Sequence, residues 1–205
     1  MEWIQSHSSL LQVALNAAMV LIWLVYLQIF LVGYLRQRRP EILINLGPGV
    51  GLKARCFISN LGLEPIYVLD VIVTVWDGEK RTAIITDRTE LSDEELCNPA
   101  EATNQGPLAS GAMADIGSFE MLIERARKTG LPVDPEAELH RIEVTVAAAS
   151  SAKGSFVGAS RRWAVERNED RLHLRPTKVG TRQIRSLLGR RGLRAILSRR
   201  LAAAQ

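Results

Sequence analysis

The sequence predicts a mainly β protein, in which one N-terminal transmembrane helix precedes an antiparallel β-sandwich and a basic, amphipathic helical tail. Three observations support this prediction: an uncharged apolar run near the N-terminus, alternating apolar and polar residues through the middle, and a C-terminal segment rich in arginine and leucine. The predicted organisation is a short N-terminal segment at 1–9, a transmembrane helix at 10–35, a basic linker at 36–40, a sandwich domain at 41–175 and the tail at 176–205.

The N-terminal run is almost continuously apolar from residue 10 to residue 35, with interruptions only at Gln12, Asn16 and Gln28. About 20 apolar residues in a helix cross the hydrocarbon core of a bilayer. A helix is the expected state because it satisfies its own backbone hydrogen bonds in lipid. The run is longer than the apolar region of a signal peptide, and no Lys or Arg precedes it. The sequence therefore predicts an uncleaved, single-pass anchor.

Charge next to this run predicts its orientation. Arg36, Arg38 and Arg39 follow the run, whereas Glu2 is the one charged residue before it. The positive-inside rule places the arginines on the cytoplasmic side. We expect an anchor in the inner membrane of a bacterium, with the N-terminus outside and the main domain in the cytoplasm. The two cysteines of the chain would then be reduced.

Part of the predicted membrane helix carries small and amide side chains. Ala14 and Ala18 are four residues apart, as are Gln12 and Asn16. Small residues let helices approach closely, and amides form hydrogen bonds between helices. One interpretation is packing against a helix of another membrane protein or of a second copy. The alternative is that alanine is simply common in membrane helices and that Gln12 lies at the interface.

The middle of the chain predicts seven or eight strands with short turns between most of them. The predicted strands are at 41–45, 52–59, 66–76, 81–86, 112–117, 139–148, 156–165 and 171–174. Short turns favour antiparallel pairing, and residues 88–113 are predicted to be mostly a long loop. In the third strand, one face is assigned Tyr67, Leu69, Val71, Val73 and Val75.

One short helix interrupts the strands. Ser118 resembles an N-cap, and apolar residues follow it at helical spacing until Gly130 and Pro132 end the pattern. Many antiparallel strands with little helix favour an immunoglobulin-like sandwich. The cysteine and tryptophan spacing of antibody domains is absent, so the prediction is a generic sandwich of this type.

The C-terminal segment concentrates the positive charge of the chain. Nine of the 26 Lys and Arg lie from Arg175 onward, where there is no Asp or Glu, so the first 174 residues carry 17 basic and 22 acidic side chains. The predicted contacts to an anionic membrane surface are Arg182, Arg185, Arg190, Arg191, Arg194, Arg199 and Arg200. Two apolar stripes fall out of line at Gly192, which predicts a kink or two short helices.

Other roles for the tail are a disordered, solvated segment, or a helix docked on its own acidic domain. It lacks the interleaved aromatic residues that stack on bases, so no specific nucleic acid is expected as a partner.

No pattern in the sequence matches a catalytic or metal-binding motif. His7, His140 and His173 are scattered, and the two cysteines do not have the spacing of a zinc site. The glycine-rich stretch at 47–51 precedes a strand rather than a helix, which argues against a phosphate loop. We therefore expect no catalytic residues, no metal, no cofactor and no enzyme activity.

These observations favour a non-enzymatic, membrane-anchored accessory or scaffold subunit, whose cytoplasmic sandwich contacts a protein in a membrane complex. Its expected partners are membrane lipid and another membrane protein or a second copy. The alternative is a membrane-tethered sensor or ligand-binding module with a loop pocket at 88–113. An enzyme with a dispersed site is a third hypothesis, which no feature of the sequence favours.

Overall fold

The protein forms two compact units, Met1–Arg39 and Pro40–Gln205. The computed structural model describes residues 8–37, 40–85, 103–131, 138–150, 155–168 and 171–203, with the side chains of 36–37, 155, 171 and 199–203 left aside. The first unit contains helix α1, Ser8–Gln37. Within Ser8–Leu35, an 18-residue window has a mean hydropathy of 2.2, and none of that window is buried. By length and composition, α1 can therefore cross a membrane.

The second unit is mainly β. Within the described residues its strands are β1 Ile42–Leu46, β2 Arg55–Asn60, β3 Ile66–Trp76, β4 Lys80–Ile85, β5 Gly106–Leu108, β6 Met113–Ser118, β7 Arg141–Ser150, β8 Ser155–Asn168, β9 Arg171–Pro176 and β10 Arg182–Ile184. Two further helices are α2, Phe119–Lys128, and α3, Leu187–Ala203, and a short 3-10 turn spans Gly51–Lys53.

The strands form two wholly antiparallel sheets. The small sheet has the order β1-β2-β6, and the large sheet has the order β10-β8-β7-β3-β4. Strands β5 and β9 extend the large sheet, because β5 pairs with β3 beside β4 and β9 pairs with β8 beside β10. The predicted antiparallel, mainly β architecture with two sheets is confirmed.

One hydrophobic core draws residues from both sheets and from α2. The predicted inward residues of β7 are fully buried in it: Ile142, Val144, Val146 and Ala148. Trp163 of β8 is also fully buried, and its ring meets that of Phe119 edge to face at a centroid distance of 4.9 Å. Period-two burial places these residues on one face because successive side chains of a strand point to opposite sides.

The predicted face of β3 is wrong in its first half. The residues that face the core are Ile66 and Val68, then Val71, Val73 and Val75, whereas Tyr67 is half exposed. The register between β3 and β7 shifts between Val68 and Asp70. A β-bulge adds one residue and thereby exchanges the two faces of a strand.

Helix α2 follows the prediction closely. Ser118 is its N-cap, and the Ser118 hydroxyl accepts a hydrogen bond of 3.3 Å from the backbone N–H of Met121. The predicted apolar side chains are buried: Phe119, Leu122, Ile123 and Ala126. These positions recur every three or four residues, so they share the face that packs on the core.

The described part of the predicted loop at 88–113 is mostly loop, but it contains one short strand that was not predicted, β5 at Gly106–Leu108. Residues 86–102, which include Cys97, lie outside the described residues. Strand β2 begins later than predicted, at Arg55, because residues 51–53 form the 3-10 turn.

The segment predicted as a helical tail contains strand β10, which pairs with β8 through Ser160, Ala159 and Gly158. Its side chains also hold the outer edge of β1. Gln183 accepts from the N–H of Ile42 at 3.2 Å through Oε1 and donates to the carbonyl of Ile42 at 2.6 Å through Nε2. Such pairing satisfies an edge that would otherwise stay open.

Two neighbours of Gln183 extend this contact. Thr181 Oγ1 accepts from the N–H of Ile44 at 3.0 Å and donates to its carbonyl at 3.2 Å, and Arg185 donates to the carbonyl of Pro40 at 3.4 Å. We call Thr181, Gln183 and Arg185 the edge clip. The start of this unit, from Pro40 to Ile44, is therefore bonded to the segment at 181–185.

After the edge clip, the chain enters α3, which runs without interruption through Gly192. The prediction of two short helices is therefore wrong. One glycine inside a helix costs only about 1 kcal/mol relative to alanine, so the flanking turns continue across it.

Candidate functional site

The face of the large sheet that points away from the small sheet, here called the outer face, is the candidate site. Cross-strand register arranges its side chains in rows, each drawn from several strands. The first row contains Ser160, Thr145, Ile72 and Ile84, the second Arg162, Glu143, Thr74 and Thr82, and the third Ala164, Arg141, Trp76 and Lys80. The outer face therefore changes from apolar to basic along the strands.

Helix α3 packs on the apolar end of the outer face. Leu193 is 3% exposed and forms a small cluster with Ile72 and Ala147, against which Ile184 and Leu197 also pack. A β-carbon added at Gly158 would lie 2.5 Å from Leu193 Cδ2. The absence of a side chain at Gly158 therefore leaves the space that Leu193 fills.

The basic end of the outer face centres on Trp76. Its ring lies within 6 Å of three cations: 5.0 Å from Arg162, 5.7 Å from Arg141 and 5.9 Å from Lys80. A cation at this distance from a tryptophan ring is attracted by about 0.5–1 kcal/mol at exposed sites. Lys80 and Arg141 are exposed, so this group offers both charge and aromatic surface to a partner.

One carboxylate lies among these cations. Glu143 forms an ion pair of 2.8 Å with Arg162, and its side chain is 14% exposed. The pair neutralises Glu143 and fixes the guanidinium of Arg162 near Trp76. The remaining charge of the basic end is therefore positive.

A cavity of about 70 Å³ opens beside the second row, beneath the turn at 177–180 that joins β9 to β10. Its lining includes Glu143, Ser160, Arg161, Arg162, Lys178 and Arg182. Strand pairing explains this position, because β9 and β10 leave the edge of β8 open between Trp163 and Ser160. Four of the six residues named are basic.

The structure separates the predicted anionic contacts into two groups. Arg182 lies on β10 at the cavity and Arg185 belongs to the edge clip, so neither is helical. The other five lie on α3: Arg190, Arg191, Arg194, Arg199 and Arg200. Arg194 stacks over Phe156 with its guanidinium carbon 5.9 Å from the ring centroid. Lipid contact by these arginines stays a prediction.

The predicted residues of the membrane helix lie in the first unit. Gln12, Ala14, Asn16 and Ala18 are all exposed on α1, and Arg36 is in its last turn. Arg38 and Arg39 lie outside the described residues. Helix packing and orientation therefore stay predictions.

Elsewhere in the described residues, titratable groups do not form a candidate metal site. Among the described residues, no three His, Cys, Asp or Glu side chains come close enough to hold a metal ion. Cys56 is buried in the core, where desolvation raises the pKa of its thiol well above the usual range, with a smaller contribution from Asp115. His140 and His173 are exposed.

The tryptophan group and the cavity were not predicted from the sequence. Trp76 and Arg141 are direct cross-strand partners, and Arg162 comes from the next strand. A correct register for β3, β7 and β8 would have brought them together. Comparisons with protein-family models, with curated proteins and with solved structures find no match for this chain.

Proposed function

We propose that this protein is a non-enzymatic, single-pass membrane-anchored accessory subunit, whose cytoplasmic β domain contacts a protein partner in a membrane complex. The observation that carries the proposal is the group of Trp76, Arg141, Arg162 and Lys80 on the outer face. Tryptophan and arginine are the residues most enriched at the energetic centres of protein interfaces. Their positive charge favours a partner with an acidic surface.

The anchor in this proposal is α1, inserted in the inner membrane of a bacterium with its N-terminus outside. The 28 residues of Ser8–Leu35 span about 42 Å as a helix, which exceeds the roughly 30 Å hydrocarbon core. Arg36, Arg38 and Arg39 favour a cytoplasmic C-terminal side. A phosphatase or fluorescent fusion at the C-terminus tests this orientation, and periplasmic phosphatase activity would overturn it.

Apolar surface near Pro40 supports contact between the domain and the lipid surface. Leu61, Leu63 and Met113 are 55%, 63% and 61% exposed, respectively. The N–H of Leu61 donates to the carbonyl of Glu41 at 2.8 Å, which fixes this loop beside the start of the unit.

Helix α3 would add a second contact with lipid. It starts two residues after Arg185, which is bonded to Pro40, and its Leu187 and Leu188 are 74% and 78% exposed. Exposed leucines followed by arginines suit an anionic membrane surface. Within the membrane, Ala14 and Ala18 with Gln12 and Asn16 are proposed as the surface for a partner helix or a second copy.

We also propose that the domain is an immunoglobulin-like sandwich. The support is that both sheets are wholly antiparallel and share one core. In an immunoglobulin-like sandwich, the strand directions of the two sheets lie within about 30° of each other. An experimental structure with orthogonal sheets would contradict this part of the proposal.

Recovery of a crosslinked partner from native membranes tests the proposed contact between the outer face and a protein. The full chain with Arg141→Glu should lose a crosslinked partner, because reversed charge beside Trp76 repels an acidic surface. Lys53→Glu is the matched control, since Lys53 is exposed in the 3-10 turn, which is not part of the outer face. Equal recovery with both variants, or recovery of the chain alone under several mild detergents, would contradict the proposal.

A second candidate function, a membrane-tethered sensor or ligand-binding module, is favoured by the basic cavity. The cavity lies at β8 and the turn at 177–180 rather than in the predicted 88–113 segment. A small molecule that raises thermal stability by mass action would support it.

A further inference from the structure

The charges around the cavity beneath the turn at 177–180 are not balanced. Glu143 is already paired with Arg162 at 2.8 Å. Among the described residues, Lys178 and Arg182 have no acidic side chain within ion-pair distance. Each is exposed on one side and lines the cavity on the other.

Arg161 also borders the cavity, but its side chain lies on the opposite face of β8 from Ser160 and Arg162. Its guanidinium carbon is 5.8 Å from the centre of the buried Trp163 ring. Its terminal nitrogens donate to the carbonyl of Ile44 at 2.7 Å, Oδ1 of Asn45 at 3.0 Å and the carbonyl of Val179 at 3.2 Å. After the Glu143–Arg162 pair, the cavity therefore has two uncompensated cations, Lys178 and Arg182.

Ser160 offers a hydroxyl on the same side of β8 as Arg162 and Arg182. The residue is 4% exposed, and no hydrogen bond to its hydroxyl is found within the described residues. A bound acceptor would give this hydroxyl a partner.

We propose that this cavity binds a phosphate-type oxyanion, the phosphate of a monoester or diester. About 70 Å³ holds roughly five waters, which suits one tetrahedral group of five heavy atoms but not a ring system. Two uncompensated cations match the charge of a phosphate monoester better than that of a single carboxylate. Lys178 and Arg182 supply this charge, while the Ser160 hydroxyl supplies a donor from the same face of β8.

The phosphate has two possible sources, a free phosphorylated small molecule or the headgroup of an anionic lipid. Both place the same chemistry in the cavity. The proposal does not rest on the accessory function, because Lys178 and Arg182, which carry it, are not part of the group around Trp76.

The experiment uses the full chain in uncharged detergent, with thermal unfolding followed as inorganic phosphate replaces chloride at constant ionic strength. A saturable rise in the melting temperature is expected, because a ligand that binds the folded state stabilises it by mass action. The variant with Lys178→Ala and Arg182→Ala should bind at least tenfold more weakly, since each charged hydrogen bond is worth more than a factor of ten.

The matched control carries Lys53→Ala and Arg175→Ala, which removes the same charge from exposed positions outside the cavity. It should keep the affinity of the natural chain. A rise that does not saturate, or an equal loss in both double variants, would overturn the proposal. Melting temperatures without phosphate show whether each variant is folded.

Two further arms distinguish the sources. The chain is placed in nanodiscs of phosphatidylcholine alone or with phosphatidic acid, and the phosphate titration is repeated. If the lipid headgroup is the ligand, phosphatidic acid should occupy the cavity and abolish the rise in melting temperature with free phosphate. This effect should be seen only in the chain that keeps Lys178 and Arg182. If the ligand is soluble, both nanodiscs should give the same affinity. A response in no medium would overturn the proposal.

Discussion

Leu193 fixes helix α3 to the outer face, so its replacement by alanine should release the helix. The side chain is 3% exposed and packs with Ile72 and Ala147. It fills the space above Gly158, where a β-carbon would lie 2.5 Å from it. Ile184 and Leu197 complete the contact from the same side.

The magnitude follows from this burial. Replacing a buried leucine by alanine costs about 2–5 kcal/mol, depending on how far the site collapses. Only one leucine is deeply buried here and α3 can move inward, so we expect the lower part of this range, about 2–3 kcal/mol. For a domain of this size, that corresponds to a fall in the melting temperature of about 4–12 °C.

Hydrogen exchange across α3 and thermal unfolding of the full chain in detergent measure the effect. Leu193→Ala should speed exchange throughout the helix and lower the melting temperature. Leu188→Ala is the matched control, because Leu188 lies on the same helix and is 78% exposed. It should change stability by less than about 0.5 kcal/mol. Equal effects of the two substitutions, or unchanged exchange in Leu193→Ala, would refute the packing described here.

Three further predictions follow from individual contacts. Gln183→Leu removes both hydrogen bonds to the backbone of Ile42 and should lower the free energy of unfolding by about 1–3 kcal/mol in denaturant titrations; no change would show that water replaces the side chain. Ser118→Ala removes the N-cap of α2 and should lower the free energy of unfolding by about 1 kcal/mol, whereas Ser118→Asp should retain most of the capping stability. Equal losses in the two variants would contradict the capping role. Burial raises the pKa of Cys56, so its thiol should resist alkylation at pH 8 until the domain unfolds. Above about pH 8.5 the thiol ionises in the unfolded chain but stays protonated in the folded domain. Each further pH unit should therefore lower the free energy of unfolding by up to about 1.4 kcal/mol, and Cys56→Ala should remove this pH dependence.

Local pattern was sufficient for several elements of the fold. The alternation of Ile142, Val144 and Val146 predicted β7 because one face of that strand is buried and the other is polar or small. Ser118 and the spacing after it predicted α2 because its cap is a local hydrogen bond.

Elements that depend on distant partners were missed. The bulge after Val68 exchanges the faces of β3. Because apolar residues lie on both faces around it, the alternation in the sequence does not show the exchange. Strand β10 has three residues and is held partly by Gln183 bonded to Ile42, 141 positions away in sequence. Periodicity in the arginine-rich segment therefore indicated a helix where tertiary contacts produce a strand.

The candidate site shows the same limit. The basic charge of the segment after Arg175 was visible in composition, but the group around Trp76 requires the register of three strands. The cavity requires in addition that β9 and β10 pair with different parts of β8. Neither relation leaves a signal within a short window of sequence.

Photocrosslinking from the outer face in native membranes tests the proposed partner contact most directly. A photoreactive residue at Thr82, which is exposed in the row next to Trp76, should crosslink to one defined protein, and Arg141→Glu should abolish that crosslink. The same probe at Glu120, exposed on α2, should not capture that protein. Equal capture from both positions, or none from Thr82, would contradict the proposal that the outer face binds a partner.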